Sequence, residues 1–334
     1  MLSPILIVAV AACLVAVYVL TRRHTPQGPP SPAPAPKERD ATRHDPPSRE
    51  LSPAAAPAPA PPRTPAAPAV PPPPPSSASD LTEDEPTGPY ALILVTAVGR
   101  TDPGLRRTHN EDAYAILEDQ QLFVIADGMG KHAAGEVASQ LCVEAITEAF
   151  RTKALAFPAT PPLPRRAARL RSAILGANAK VLSAAQETDA YTGMGTTVVT
   201  AYFSPNNQRA YIAHVGDSRC YRLRDDELVQ LTMDHTLGAA GITGKSSALL
   251  SRAVGVEEYV DVDMLTESPR PGDIYLLCSD GLSRMVSDVR IKETLQRETD
   301  LDLVTKTLID SANELGGRDN ITAILVRVDK AGLV

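Results

Sequence analysis

The chain has 334 residues, with 33 Lys and Arg against 40 Asp and Glu, a formal net charge of -7, and 31 prolines but no tryptophan. Because 23 of the prolines lie at or before Pro89, the first quarter is excluded as an ordinary globular fold, whereas the 245 residues from 90 to 334 can bury one sizeable core. That part carries 26 basic against 32 acidic residues, which argues against nucleic acid as a partner.

The first predicted element is a single transmembrane helix over residues 1–21. The stretch up to Leu20 contains no charged side chain, and twenty helical residues span about 30 Å, the thickness of the hydrocarbon layer. Arg22 and Arg23 follow the apolar stretch, which predicts an inner-membrane anchor with the rest of the chain in the cytoplasm. The alternatives are a cleaved signal and a lipoprotein site at Cys13, and either would export the domain.

Residues 22–88 form a predicted disordered linker rich in proline and alanine. They contain almost no large apolar side chain whose burial would offset the entropy lost on ordering. Pro-rich chains favour polyproline II at about 3.1 Å per residue, so some sixty residues reach about 190 Å when fully extended. The alternative for the run 71–75 is a ligand for an aromatic groove, and the plain spacer is favoured because no flanking specificity signal accompanies it.

Strands dominate the domain predicted over residues 89–330. Because strands and helices do not alternate strictly, the order favours an α+β fold with antiparallel sheets covered by helices. The strands are predicted at 90–98, 113–117, 121–126, 196–203, 209–215, 219–224, 260–265, 273–278 and 321–328. The helices are predicted at 133–150, 165–185, 288–296 and 301–314.

The cysteines lie singly in apolar runs, without a Cys-x-x-Cys pair. They are Cys13, Cys142, Cys220 and Cys278. Such isolated thiols predict small buried side chains in a reducing compartment, and neither a disulfide framework nor a zinc site.

Acidic residues recur where the predicted strands begin or end. If those ends converge, rigid strands gather the carboxylates into one cluster. Clustered carboxylates raise one another's pKa unless a cation lies among them, and an all-oxygen set suits Mg²⁺ or Mn²⁺ rather than zinc. The alternative for each segment alone is an ordinary turn, since Asp-Gly and Asp-Ser are common turn residues. The acidic residues concerned are Glu111, Asp112, Asp127, Asp217, Asp280 and Asp319.

The order of these segments resembles that of the metal-dependent type 2C (PPM) serine/threonine protein phosphatases in their bacterial form. The resemblance runs from about residue 91 to 328, which is nearly the whole globular part. It implies a four-layer α-β-β-α sandwich of two antiparallel sheets flanked by helices. The segments that carry it are 102–112, 126–130 followed by 132–139, 193–197, 216–219, 278–282 and 319–320.

The resemblance also implies a dinuclear Mg²⁺ or Mn²⁺ centre. By similarity, Asp127 bridges the two ions, the backbone carbonyl of Gly128 holds one, and Asp280 and Asp319 hold the other. Glu111 and Asp112 are implied to act mostly through bound waters, and Asp217 with Asp280 matches a third, weaker metal site. Two such cations can share a water and lower its pKa, so no protein nucleophile is required.

Arg107 matches the family's phosphate-binding arginine, and a planar guanidinium suits paired phosphate oxygens. Arg106 is the rival. If strand alternation extends backward from residue 113, the two arginines face opposite sides and only one reaches the site. Arg219 is expected either to pair with an acid or to contact substrate, and His214 is expected to be a satisfied core residue.

The sequence departs from the family pattern in three places. Lys131 stands where bacterial members usually have glycine, and it either strains the backbone by about 1–2 kcal/mol, weakens metal binding or assists phosphate binding. Met129 replaces a histidine of eukaryotic relatives, which leaves His132 and a water as candidates for protonating the leaving oxygen. The flap predicted over 234–255 is about ten residues short, and its glycines predict mobility.

The leading hypothesis is a membrane-tethered phosphatase that acts on phosphoserine and phosphothreonine in the substrates of bacterial Ser/Thr kinases. The alternative is a catalytically silent member of the fold that serves as a scaffold or binds phosphoproteins, based on Lys131 and the short flap. A two-metal nuclease shares the carboxylates, but the acidic domain argues against it.

Overall fold

The computed structural model describes residues 93–130, 134–152, 163–204 and 208–329. Short 3-10 turns lie at Glu118–Gln120 and Asp189–Tyr191. The strands are β1 (Leu94–Asp102), β2 (Asp112–Leu117), β3 (Leu122–Met129), β4 (Gly195–Thr196), β5 (Val198–Ser204), β6 (Arg209–Val215), β7 (Arg219–Arg224), β8 (Glu227–Gln230), β9 (Asp263–Glu267), β10 (Ile274–Cys278) and β11 (Ile321–Asp329). The helices are α1 (Ala134–Arg151), α2 (Arg165–Glu187), α3 (Asp280–Ser283), α4 (Asp288–Arg297) and α5 (Leu301–Glu314).

Two antiparallel sheets form the centre of the fold. The first sheet has the order β1-β11-β10-β7-β8, and the second has the order β2-β3-β5-β6-β9, with β4 paired to β3. The predicted fold of two antiparallel sheets flanked by helices is confirmed. The sheet order brings together residues from distant parts of the chain, because β1 and β11 pair along their whole length.

Period-two side chains of the strands create three apolar layers. Phe123 of β3 and Tyr275 of β10 point between the two sheets. Their neighbour Val124 faces α1 and α2, whereas Leu276 faces α4 and α5. Because successive side chains of a strand alternate in direction, each central strand is apolar on both faces, and the layers stack as helices, sheet, sheet and helices.

Four details of the predicted elements differ from the structure. The single strand predicted over 196–203 is split, because Thr196 pairs with Val254 while β5 starts its own pairing with β6 at Val198. Strand β8 was not predicted, since its turn consists of Asp225 and Asp226, both with positive φ, instead of an Asn-Gly or Asp-Gly pair. The predicted strand 260–265 lies at Asp263–Glu267, and the short helix α3 was also not predicted.

The predicted anchor at 1–21 and linker at 22–88 lie outside the described residues. Within the ranges that are described, none of the helices has the length and apolar composition to cross a membrane.

The cysteines at positions 142, 220 and 278 are buried and unpaired, as predicted.

Candidate metal centre

The strand ends that carry the acidic segments converge where the two sheets meet. Asp112 and Asp127 are register partners at one end of the β2–β3 hairpin. The carboxylate of Asp112 accepts hydrogen bonds from Ser279 Oγ (2.8 Å) and Thr322 Oγ1 (2.6 Å), which lie at the end of β10 and the start of β11. One buried carboxylate of the second sheet is therefore bound to two strands of the first.

The side chain of Asn320 holds the loop that precedes β2 by three hydrogen bonds. Its Oδ1 accepts from the backbone N–H of Glu111 at 2.8 Å, and its Nδ2 donates to the carbonyls of Pro103 (2.9 Å) and His109 (2.8 Å). Asn320 belongs to a segment of the resemblance, but no role was predicted for it. An Asp-Asn pair directly before a strand is the one sequence signal that marks it.

Two glycines allow the backbones around the carboxylates to approach closely. A Cβ at Gly128 would lie 2.0 Å from the carbonyl oxygen of Gly135, and a Cβ at Gly281 would lie 1.9 Å from that of Asn320. Gly128 also donates its N–H to the carbonyl of Glu111 at 3.0 Å. These positions require glycine because any side chain would push apart the backbone segments that hold the acidic residues.

The carboxylates repel one another strongly. Burial raises the pKa of Asp127 well above its ordinary value, and the negative charges of Asp112, Asp280, Asp217 and Asp319 raise it further. Burial likewise raises the pKa of Asp112 to about 7, although the hydrogen bonds from its two hydroxyl partners lower it. Burial also raises the pKa of Asp280 to about 6. Asp280 lies close enough to Asp127 for the protonated form of one carboxyl to donate a hydrogen bond to the other. Such a cluster is relieved by protons or by cations.

Two buried oxygens in this cluster have no hydrogen-bond partner: Glu111 Oε1 and Asp112 Oδ1. Buried acceptors without a partner are rare in native proteins and are explained by a water or an ion. The donor set consists of oxygens only, which is the preference of Mg²⁺ and Mn²⁺. The residues around Asp127 therefore fit a pair of hard divalent ions.

Arg107 lies at the rim of the cluster with its side chain 46% exposed. Its Nη2 donates to Asp319 Oδ2 at 2.8 Å, and its Nη1 lies 3.7 Å from Glu111 Oε2. The expected strand alternation for Arg106 and Arg107 is wrong, because no strand is present between the end of β1 at Asp102 and the start of β2. The guanidinium of Arg107 reaches the cluster from a loop.

The carboxylates of Asp217 and Asp280 share a guanidinium that was not predicted. Arg284 Nη2 donates to Asp217 Oδ2 at 2.6 Å, and its Nη1 lies 3.0 Å from Asp280 Oδ2. This pair therefore does not fit a third metal ion as it stands. Arg219 pairs with an acid, which is the first of the two roles predicted for it. It donates two hydrogen bonds to Asp234, at 2.9 and 2.8 Å.

A separate group of His214, His235 and Asp263 has side chains close enough for a metal, and it is the only such histidine- or cysteine-containing group in the described ranges. The two rings stack with centroids 4.5 Å apart. His235 Nδ1 accepts from the Gly216 N–H (3.1 Å), so the neutral ring carries its proton on Nε2, 3.2 Å from Asp263. A metal would have to displace that proton, and Asp263 is already paired with Arg252.

The prediction for His214 is confirmed in part. The side chain is buried and its Nε2 donates to the carbonyl of Met233 at 2.9 Å, but its Nδ1 has no partner. The two ends of the flap, 234–255, are joined by backbone pairing. The N–H of Ser251 donates to the carbonyl of His235, and Thr236 forms a β-bridge with Leu250.

Two of the residues behind the open questions of the sequence lie outside the described residues. They are Lys131 and His132, which follow Gly130 in the sequence. Met129 is the last residue of β3. The predictions about backbone strain at position 131 and about proton donation by His132 therefore stay predictions.

Comparisons with known proteins agree on one family. Residues 106–325 match the family described as Protein phosphatase 2C. The chain is 37% identical over 244 residues to the serine/threonine phosphatase stp of Listeria monocytogenes, which covers 69% of this chain and 94% of that protein. It is 36% identical over 247 residues to the serine/threonine protein phosphatase PstP of Mycobacterium tuberculosis, covering 71% of this chain and 45% of that protein. The crystal structure of the catalytic domain of PstP with two manganese ions matches with a TM-score of 0.62 and 35% identity, over 71% of this chain and all of that one.

Proposed function

The chain belongs to the protein phosphatase 2C family and is a metal-dependent protein phosphatase, and we propose that it hydrolyses phosphoserine and phosphothreonine in proteins with two Mg²⁺ or Mn²⁺ ions. The observation that carries this proposal is the convergence of Asp127, Asp280 and Asp319 on one cluster, in which burial and neighbouring negative charges raise the pKa of Asp127 and Asp280. A related phosphatase domain contains two manganese ions in its crystal structure, which supports the same pair here.

Each acidic residue of the cluster except Asp217 has a proposed part in holding the ions. Asp127 would bridge the two, the carbonyl of Gly128 would hold one, and Asp280 and Asp319 would hold the other. Glu111 and Asp112 would act through bound waters, using the two oxygens that have no hydrogen-bond partner. When bound, the ions supply a water of lowered pKa as the nucleophile.

The remaining groups orient the substrate and the loops. Arg107 would bind two phosphate oxygens through its planar fork, which requires that it exchange its contact with Asp319 for the phosphate. Asn320 and Gly281 keep the loops at the strand ends in register, so that the carboxylates hold their spacing. The flap over 234–255 borders the Asp217 loop and is the proposed determinant of substrate choice.

The proposed substrates are phosphoproteins made by Ser/Thr kinases. The relatives named above are serine/threonine phosphatases, and the acidic domain argues against nucleic acid. Because the chain keeps every predicted metal ligand, an active enzyme is favoured over the catalytically silent scaffold. The scaffold is the other outcome of the experiment below.

The proposal is tested by phosphate release from a phosphothreonine peptide, with Mn²⁺ titrated and the full chain purified in mild detergent. Asp127→Ala and Asp280→Ala are expected to abolish turnover. Asp119→Ala is the matched control, because this exposed acid lies on the turn at the opposite end of the β2–β3 hairpin. A folded wild-type protein that binds Mn²⁺ but releases no phosphate would establish the scaffold instead.

We also propose that residues 1–21 anchor the protein in the inner membrane and that residues 22–88 tether the phosphatase domain, 89–330, on the cytoplasmic side. The charge-free stretch up to Leu20 and the two arginines after it support this arrangement. Deleting residues 1–21 is expected to move the protein from the membrane fraction to the soluble fraction. A reporter fused after Val334 that is active only on the outer side would refute the orientation.

A further inference from the structure

Arg284 lies between two acidic residues that come from different loops. Its guanidinium donates to Asp217 Oδ2 at 2.6 Å and lies 3.0 Å from Asp280 Oδ2. Asp217 follows β6, whereas Asp280 follows β10 and begins α3. The side chain of Asp217 is only 4% exposed, so this contact compensates a carboxylate that would otherwise be buried with its charge.

The backbone places Arg284 next to Asp280. The N–H of Arg284 donates to the carbonyl of Asp280 at 2.8 Å, so the two residues lie one helical turn apart on the same side of α3. Its guanidinium is planar and permanently charged, and it can contact two carboxylates at once. The contact is therefore built into the short helix that carries Asp280.

Two other arginines near the cluster, both within the described residues, contact other acids. Arg219, which follows Asp217 by two residues, is held by paired hydrogen bonds to Asp234. Arg107 lies against Asp319 and Glu111 at the other side of the cluster. Among these arginines, Arg284 is the one that neutralises Asp217.

We propose that Arg284 is a resident cation that takes the place of a third divalent ion between Asp217 and Asp280. This inference rests on the proposed function, since it assumes that Asp280 belongs to the metal centre. The chain then works with two tightly bound ions, and a third binds only by displacing the guanidinium. Because the side chain of Arg284 is 47% exposed, such displacement is open to a divalent ion at high concentration.

The test counts bound ions and does not depend on turnover. Free Mn²⁺ is measured by electron paramagnetic resonance during titration of the metal-free full chain in detergent. The wild type is expected to bind two ions tightly, with a third at least tenfold more weakly. Arg284→Gln removes the charge at similar length, and it is expected to tighten the third site by roughly tenfold or more, because even at the dielectric of water an adjacent positive charge repels a divalent ion by that factor.

Two further variants locate the effect. Arg284→Lys keeps the charge but not the planar fork, and its third site is expected to stay close to that of the wild type. Asp217→Asn combined with Arg284→Gln is expected to lose the third site again. Circular dichroism establishes which variants are folded, and the wild-type count alone keeps the inference testable if Arg284→Gln does not fold.

Three equally tight Mn²⁺ sites in the wild type would overturn the inference while leaving the phosphatase intact. The same would follow if the third site were unchanged in a folded Arg284→Gln protein. Two tight sites without hydrolysis of the phosphothreonine peptide would instead refute the proposed function.

Discussion

Replacing Asp112 with asparagine is expected to stabilise the metal-free protein in a pH-dependent way. Asp112 is buried, one of its oxygens accepts from two hydroxyls, and the other has no partner. Burial raises the pKa of this carboxyl from 3.8 to about 7, so ionising it in the folded state is unfavourable. Asparagine has nearly the same shape and carries no charge to desolvate.

The magnitude follows from the raised pKa. Below about pH 4 the carboxyl is protonated in both the folded and the unfolded chain, and it has no effect on stability. Between pH 4 and 7 only the unfolded chain ionises, so the folded state loses stability as the pH rises. Above pH 7 the loss is complete, and a difference of about three pKa units corresponds to about 4 kcal/mol. At pH 5 the loss is only about 2 kcal/mol.

Urea unfolding in EDTA measures this difference at pH 5 and pH 8. Asp112→Asn is expected to exceed the wild type in free energy of unfolding by about 4 kcal/mol at pH 8 and by about 2 kcal/mol at pH 5. With saturating Mn²⁺ the advantage at pH 8 is expected to shrink, because bound cations stabilise the ionised carboxylates of the wild type. An advantage that is equal at both pH values, or a variant less stable than the wild type at pH 8, would refute the reasoning.

Three other predictions concern packing, substrate binding and thiol reactivity. Gly281→Ala is expected to lower the free energy of unfolding by about 3 kcal/mol or more, since its Cβ would overlap the Asn320 carbonyl. Gly176→Ala, on an open face of α2, is expected to raise the free energy of unfolding by about 0.5–1 kcal/mol. Thermal melts of both variants measure these changes. Arg107→Ala is expected to raise KM for a phosphopeptide about tenfold or more, and substitution of the exposed Arg106 with alanine is expected to leave KM unchanged. Equal effects of the two substitutions in steady-state kinetics would contradict the role assigned to Arg107. Burial raises the pKa of the Cys142 and Cys278 thiols to about 12, so iodoacetamide at pH 8 is expected to modify them only in urea, as mass spectrometry would show.

Local patterns in the sequence determined most of the elements and the position of the acidic residues. The alternation of Phe123 and Val124 shows a strand buried on both faces, and the helical spacing in α1 and α2 shows one apolar side. Asp127 directly follows such an apolar run and Asp280 follows one after Ser279, so their place at strand ends could be predicted from neighbouring residues. These features depend only on periods of 2 and 3.6 residues, which a single chain displays without its partners.

Only the tertiary structure decided which side chains meet across the sheets. The three hydrogen bonds of Asn320, the contact of Arg284 with Asp217 and the stacking of His214 on His235 join residues separated by 21 to 217 positions. No local pattern encodes these pairs, because they depend on the strand order and register of the folded sheets. The sequence by itself determined that carboxylates lie at strand ends, and the packing of the two sheets decided which cations and amides face them.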